Sequence, residues 1–281
     1  MSSSEGSTLL LPIANPDIVD RILDTALDIA LEQSMQVTAF HVVRVPDQLP
    51  LSAGDQIVSS EIPHLLEYAA DRAKEAGIEI RTEVRFSRDT ASGIVGSVEA
   101  YGGDVLLMGW RGRPRRRDIV LGSFLDRVLG EAKCDVFVKR IKLPTPEIAS
   151  ILVPVCGGPH DELASELAGT LASRHEAEIL LFHVAAPDLD EASFQPSETL
   201  LEERQDKIPS HVTVNAEIRE SDHIAGAITD ETVNHDLTIL GATREPVLRR
   251  KLVGSVAQGV GRSAASSVIV TRKYVTEAEE N

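Results

Sequence analysis

The sequence predicts an α/β fold built from two tandem, open-twisted parallel five-stranded sheets, each with helices on both faces. Three observations lead there. The chain repeats itself once. Within each repeat, short apolar runs alternate with segments of helical periodicity. And 281 residues is about the length of two domains.

The repeat is read from matching strings. Leu10-Leu11-Pro12-Ile13-Ala14 returns as Leu152-Val153-Pro154-Val155-Cys156, and Phe40-His41-Val42 as Phe182-His183-Val184, both at an offset of 142. Gly109 returns as Gly241, Gly122-Ser123 as Gly254-Ser255, and Val136-x-Val138 as Val268-x-Val270, at an offset of 132. The second copy is therefore ten residues shorter between its second and fourth strands. The join is Leu143-Pro144-Thr145-Pro146, whose prolines disfavour both helix and central strand. This bounds a first domain at 1–143 and a second at 147–281.

In the first repeat, Thr8–Ala14 has the continuous apolar character of a buried strand. Residues 17–34 carry Ile18, Ile22, Ala26, Ile29 and Ala30 at helical spacing. Val37–Val45 is a β-branched strand. Residues 55–76 suit a helix that Pro63 must kink or divide. Glu79–Phe86 alternates as a strand, and residues 90–101 suit a helix. Asp104–Met108 is the fourth strand, 121–131 a helix, and Cys134–Lys139 the last strand. The second repeat predicts strands near 151–156, 178–185, 212–218, 236–240 and 267–271. Strands alternating with helices form parallel sheets, which bind ligands beyond their carboxyl ends at the switch point in strand order.

Composition narrows the function. The net charge of −16 disfavours a surface that neutralises nucleic-acid phosphates. The basic residues are 21 Arg and only 7 Lys, which together with the acidity suits a very salty cytosol. Residues 1–145 hold 17 basic and 21 acidic side chains, net −4, and the rest holds net −12. The longest apolar runs are strand-sized, and the first residues lack the pattern of a signal peptide, so a cytoplasmic protein is expected. Cys134 and Cys156, one per repeat, argue against a disulfide framework. The histidines lack metal-site spacing, so no metal is assigned. His41 and His183 fit satisfied core positions better than ligand positions, and Cys156-Gly157-Gly158-Pro159-His160 fits a turn better than a Cys/His nucleophile.

The chemistry concentrates after the fourth strand. Gly109-Trp110-Arg111-Gly112 is followed by nine residues and then Gly122-Ser123 opening a helix. Glycines let backbone N–H groups approach an anion, and a helix start adds unpaired donors and a positive dipole end. Ser123 adds a hydroxyl. Arg111, Arg113, Arg115, Arg116 and Arg117 crowd the loop, either to steer a polyanion or as a solvated face. Trp110, the sole tryptophan, suits core or interface packing better than base stacking.

Gly-x-x-Gly-x(9)-Gly-Ser resembles the ATP-binding signature of universal stress proteins, and the Leu-x-Pro and Phe-His-Val strands resemble that family too. Pro12-Ile13-Ala14-Asn15-Pro16 and Gly109-Trp110-Arg111-Gly112 further resemble stress-protein domains on the cytosolic ends of amino-acid and cation–chloride transporters. The resemblance implies an adenine nucleotide alpha hydrolase-like fold. It also implies an ATP- or AMP-type ligand, with cyclic dinucleotides as a further option. Pro12, Ala14, Val42 and Met108 would lie near base and ribose, with Gly109, Arg111, Gly112, Arg113, Gly122, Ser123 and Phe124 around the phosphates. In the second repeat the implied residues include Pro154, Val184, Leu240, Gly241, Arg244, Gly254, Ser255 and Val256.

Two departures stand out. The family's acidic residue after the first-strand proline is replaced by Ala14 and by Cys156. The second glycine of the signature is replaced by Arg244 in the second repeat, although an arginine also offers a charged fork to an anion. Repeat one is thus the expected binder. Three readings follow: a nucleotide-binding stress-response regulator, a ligand-free dimerisation or docking module regulating a membrane transporter, or at most a slow ATPase. The His-x-Gly-His and Lys-Met-Ser-Lys-Ser motifs of related nucleotidyl-transferring folds are absent from the sequence. The β-branched last strands, Val136-x-Val138 and Val268-x-Val270, are expected to pair with each other as an intrachain pseudo-dimer, in the way the family forms homodimers.

Overall fold

A computed structural model describes residues 6–14, 16–110, 123–140, 147–187, 191–242 and 254–275. The first repeat runs β1 (Thr8–Pro12), α1 (Pro16–Gln33), β2 (Gln36–Arg44), α2 (Glu61–Glu75), β3 (Arg81–Ser87), α3 (Thr90–Tyr101), β4 (Val105–Trp110), α4 (Ser123–Glu131) and β5 (Asp135–Arg140). The second runs β6 (Ser150–Pro154), α5 (Pro159–His175), β7 (Glu178–Ala185), α6 (Glu191–Gln205), β8 (Val214–Glu220), α7 (Ile224–Glu231), β9 (Leu237–Gly241), α8 (Ser255–Ser263) and β10 (Ser267–Arg272). The chain separates into two compact units, one holding β1 through α4 and the other β6 onward.

Strand order is β3-β2-β1-β4-β5 in the first repeat and β8-β7-β6-β9-β10 in the second. Every strand pair with a described register is parallel. The apolar runs explain this. Leu9, Leu10 and Leu11 are consecutive and all fully buried, as are Ile151, Leu152 and Val153. Consecutive residues point to opposite faces, so both faces of these strands are covered. In repeat two, α5 packs on β6, β9 and β10, and α6 on β7 and β8, while α7 packs against α8. Among the described residues, no helix is long and apolar enough to cross a membrane.

Two acids start the fourth strands and secure the first ones. Asp104 Oδ2 accepts the N–H of Thr8 at 2.8 Å. Asp236 Oδ2 accepts the N–H groups of Ala149 and Ser150 at 2.9 and 3.0 Å. Each closes the amino end of a sheet whose carboxyl end carries the candidate site.

The region around Pro63 departs from the expected helix over 55–76 kinked or divided at that proline. Leu51–Ile57 forms its own 3-10 turn, and α2 begins only at Glu61. Pro63 then lies in the first helical turn, where its missing N–H costs nothing. The 3-10 segment is fastened from elsewhere in the chain. Arg88 donates to the carbonyls of Val45, Pro46 and Leu49, and Gly54 lies directly against the Phe86 ring. This is where the first repeat is longer: 16 residues separate β2 from α2, against five between β7 and α6.

Candidate functional site

Strand order reverses direction between β1 and β4, and between β6 and β9. The registers Leu9↔Val105 and Ile151↔Leu237 bring the carboxyl ends of these pairs side by side. In repeat one this brings together Pro12, Ile13 and Ala14 with Met108 and Gly109. Met108 is buried, Pro12 half-buried and Ala14 exposed. Ile13 is fixed twice: its N–H donates to Phe40 O at 2.7 Å, and its carbonyl accepts from His41 Nδ1 at 2.7 Å. A carbonyl can only accept, so Nδ1 carries the proton. His41 is therefore the structural histidine expected, and His183 makes the same contact to Val155 O at 2.8 Å.

Val42 is half-buried on β2, opposite Arg85 of β3, and packs directly against Gly93 of α3. Ser123 opens α4, and Phe124 is partly exposed on its first turn. Arg127 ties α4 to the amino end of α3: it donates to Asp89 Oδ1 at 3.0 Å and to Ser92 Oγ at 2.7 Å. Asp89 also caps α3 by accepting from Ser92 N–H and Oγ. These Ser92 bonds, with the Arg127 charge behind them, hold the Asp89 carboxyl below its ordinary range. Asn15, Arg111, Gly112, Arg113, the other loop arginines at 115–117 and Gly122 lie outside the described residues, as do Arg244, Arg249, Arg250 and Lys251 of repeat two.

Repeat two is built differently at the equivalent place. Gly157 and Gly158 have φ of +92° and +104°, a region that favours glycine, and Pro159 then opens α5. The turn sends Asp161 back under the loop. Its Oδ2 accepts the N–H of Cys156 at 2.8 Å and that of Gly157, while its Oδ1 accepts Arg204 Nε at 2.8 Å. Arg204 Nη2 reaches Gly158 O at 3.2 Å. The two side chains are 1% and 7% exposed, so this is a buried, fully engaged ion pair. The first turn of α5 is also tied to β10: Thr271 Oγ1 donates to His160 O at 2.7 Å and Lys273 N–H to His160 Nδ1 at 3.1 Å.

Gly241 lies beneath that turn. A Cβ there would sit 2.7 Å from both the carbonyl carbon of His160 and the backbone nitrogen of Asp161. Close packing of α5 thus accounts for this glycine without any ligand. Gly254 is buried just ahead of α8, Ser255 is exposed and Val256 half-buried. The Cys156 side chain is open to solvent on one side. Burial on the other sides, with the Asp161 carboxylate nearby, pushes its thiol up to about 11. A thiol so protonated at neutral pH is a poor nucleophile, in line with the turn reading of Cys156–His160.

Neither Asp161 nor Arg204 belongs to a motif. The signal in the sequence is a single position: Asp161 occupies the place that Val19 holds in repeat one, 142 residues earlier.

This repeated arrangement of strands and site can be compared with known proteins. The model of the universal stress protein family matches residues 7–140 and again 147–272. The chain belongs to the universal stress protein family. A universal stress protein of Mycobacterium tuberculosis is 29% identical over 236 residues, covering 78% of this chain and 77% of that one. The Na(+)/H(+) antiporter NhaS5 of Synechocystis is 24% identical over 257 residues, which are 90% of this chain but 36% of the antiporter. Among solved structures, a universal stress protein from Archaeoglobus fulgidus superposes with a TM-score of 0.68 at 18% identity, over 95% of this chain and 96% of that one. This universal stress protein thus has the tandem α/β fold that its repeats imply.

Proposed function

We propose that this universal stress protein is a regulatory module that binds an ATP- or AMP-type nucleotide in repeat one. Its output is a change in how the chain engages a partner rather than a chemical step. The observation that carries the reading is the contrast between the two first loops. In repeat two, the N–H groups after β6 are taken by Asp161. In repeat one, Val19 stands at that position, fully buried and without an acceptor. The end of β1, with exposed Ala14, thus meets no carboxylate from the Val19 position. The glycine–serine pattern from Gly109 to Ser123 supplies the donor types a polyphosphate needs.

Calorimetry of the full chain with ATP and with AMP tests this. One site is expected, lost in Gly112→Val and retained in Gly254→Val. A Gly112→Val protein that binds like the parent removes repeat one as the phosphate site.

A second reading has its own support. The antiporter relative carries its matching region as about a third of a longer protein. A docking module that regulates a membrane transporter fits that relationship. This reading gains if the purified chain carries no adenine nucleotide by absorbance and mass and gives no heat with ATP or AMP.

A further inference from the structure

We propose that Asp161 is an internal ligand, whose carboxylate fills an oxyanion site made by the Cys156 and Gly157 N–H groups and the Arg204 guanidinium. By filling it, Asp161 is the residue that closes this loop of repeat two to phosphates and carboxylates. The inference is independent of what repeat one binds.

The donor set carries the argument. Three donors converge on one carboxylate, two from backbone and one from a guanidinium. A planar carboxylate or a phosphate face calls for such a set, and charge-assisted bonds of this kind are strong. The donors are held in place without Asp161. Arg204 keeps its bond to Gly158 O, and the positive φ angles of Gly157 and Gly158 set the loop's course. Water reaches this place poorly, since Arg204 is 7% and Asp161 1% exposed. Stripped of Asp161, the buried guanidinium keeps, beyond its bond to Gly158 O, only a 3.7 Å approach to Glu203 Oε2 and faces two unpaired amide N–H groups, a set that a small anion satisfies. Repeat one has no such set. There Val19 stands in the place of Asp161, and a valine has no carboxylate to offer the backbone.

The test is chemical rescue of the full-length Asp161→Ala protein. Its thermal midpoint is measured in sodium formate and in sodium chloride at equal ionic strength. In chloride the midpoint is expected to fall by roughly 10 °C, because a buried charge has lost its partner. Formate is expected to return several degrees to the variant and nothing to the parent. Equal midpoints in the two salts overturn the proposal. Should the variant fail to fold in chloride, its refolding in formate becomes the measurement, and failure in both salts counts against the proposal. The double variant Asp161→Ala, Arg204→Met removes the cation as well. Formate is expected to give it no advantage, and a gain equal to that of the single variant overturns the site.

Discussion

His183 donates from Nδ1 to the carbonyl of Val155 at 2.8 Å, anchoring the residue that follows the first-strand proline of repeat two. His41 does the same for Ile13 in repeat one. The backbone at each switch point is thereby held by a side chain from the neighbouring strand, ahead of any ligand.

His183→Leu removes that donor from a half-buried carbonyl. Loss of a hydrogen bond with the acceptor left behind costs about 1–3 kcal/mol. The expected result is a lower urea midpoint with an unchanged m-value. His183→Asn, with a shorter donor, is expected to fall between. A leucine variant as stable as the parent contradicts the anchoring role.

Acid sensitivity should trace in part to Glu231. Burial pushes its carboxyl up, but hydrogen bonds from Asn234 at 2.9 Å and Arg219 at 2.7 Å outweigh burial and hold it below the usual glutamate range. A depressed folded value means the contribution is present above the unfolded value of about 4.3 and lost as pH falls through the folded one. Glu231→Gln is expected to cost about 2 kcal/mol at pH 7, as loss of a charged hydrogen-bond partner does. That gap is expected to close as pH falls through the parent's depressed folded value and its carboxyl is also protonated. A gap that stays constant from pH 7 downward contradicts this.

Cys156 should alkylate slowly despite its exposed face. With a thiol at about 11, the thiolate fraction at pH 8 is about 100-fold below that of an ordinary cysteine. Iodoacetamide labelling followed by mass spectrometry is expected to show this lag, and a rate that climbs steadily from pH 8 to pH 10. Cys134 is buried and serves as the internal control. Labelling at the speed of free cysteine contradicts the prediction.

Salt should stabilise the chain. A net charge of −16 implies self-repulsion, which counterions screen over about 10 Å at 0.1 M. The melting midpoint is expected to rise from dilute to molar KCl. A fall over that range removes adaptation to a salty cytosol as the reason for the composition.

What the sequence made legible was local and periodic. The consecutive leucines of β1 announce a strand because burial on both faces leaves no polar position, and β2 shows itself by its β-branched residues. β7 was read at its actual bounds, Glu178–Ala185, since an almost wholly apolar run begins after Glu178 and Pro187 follows it closely. The 3-10 turn at Leu51–Ile57 was not legible. Its Gly54 lies against the ring of Phe86, and the loop leading into it is held by Arg88, both far along the chain where no local pattern ties them to it. The lock on repeat two escaped for the same reason. Arg204 and Asp161 lie 43 residues apart, on different helices, and each alone looks like a solvated helical charge. The glycine at 241 was legible only as a place where a phosphate would approach the backbone. The reason for it, the first turn of α5 lying across it, appears only when the helices are packed.

The fastening of Ala149 and Ser150 by Asp236 has a mechanical consequence. Tension transmitted along the chain from residue 147 meets this carboxylate before it meets the β6 ladder. The load passes sideways into the start of β9, a strand buried on both faces. Peeling β6 away one bond at a time, the weak direction for a strand, is thus blocked at its first step, and the three contacts to Asp236, counting the Ser150 hydroxyl at 3.3 Å, must shear together. Repeat two therefore has a clamp at the point where a pull from its neighbour would arrive.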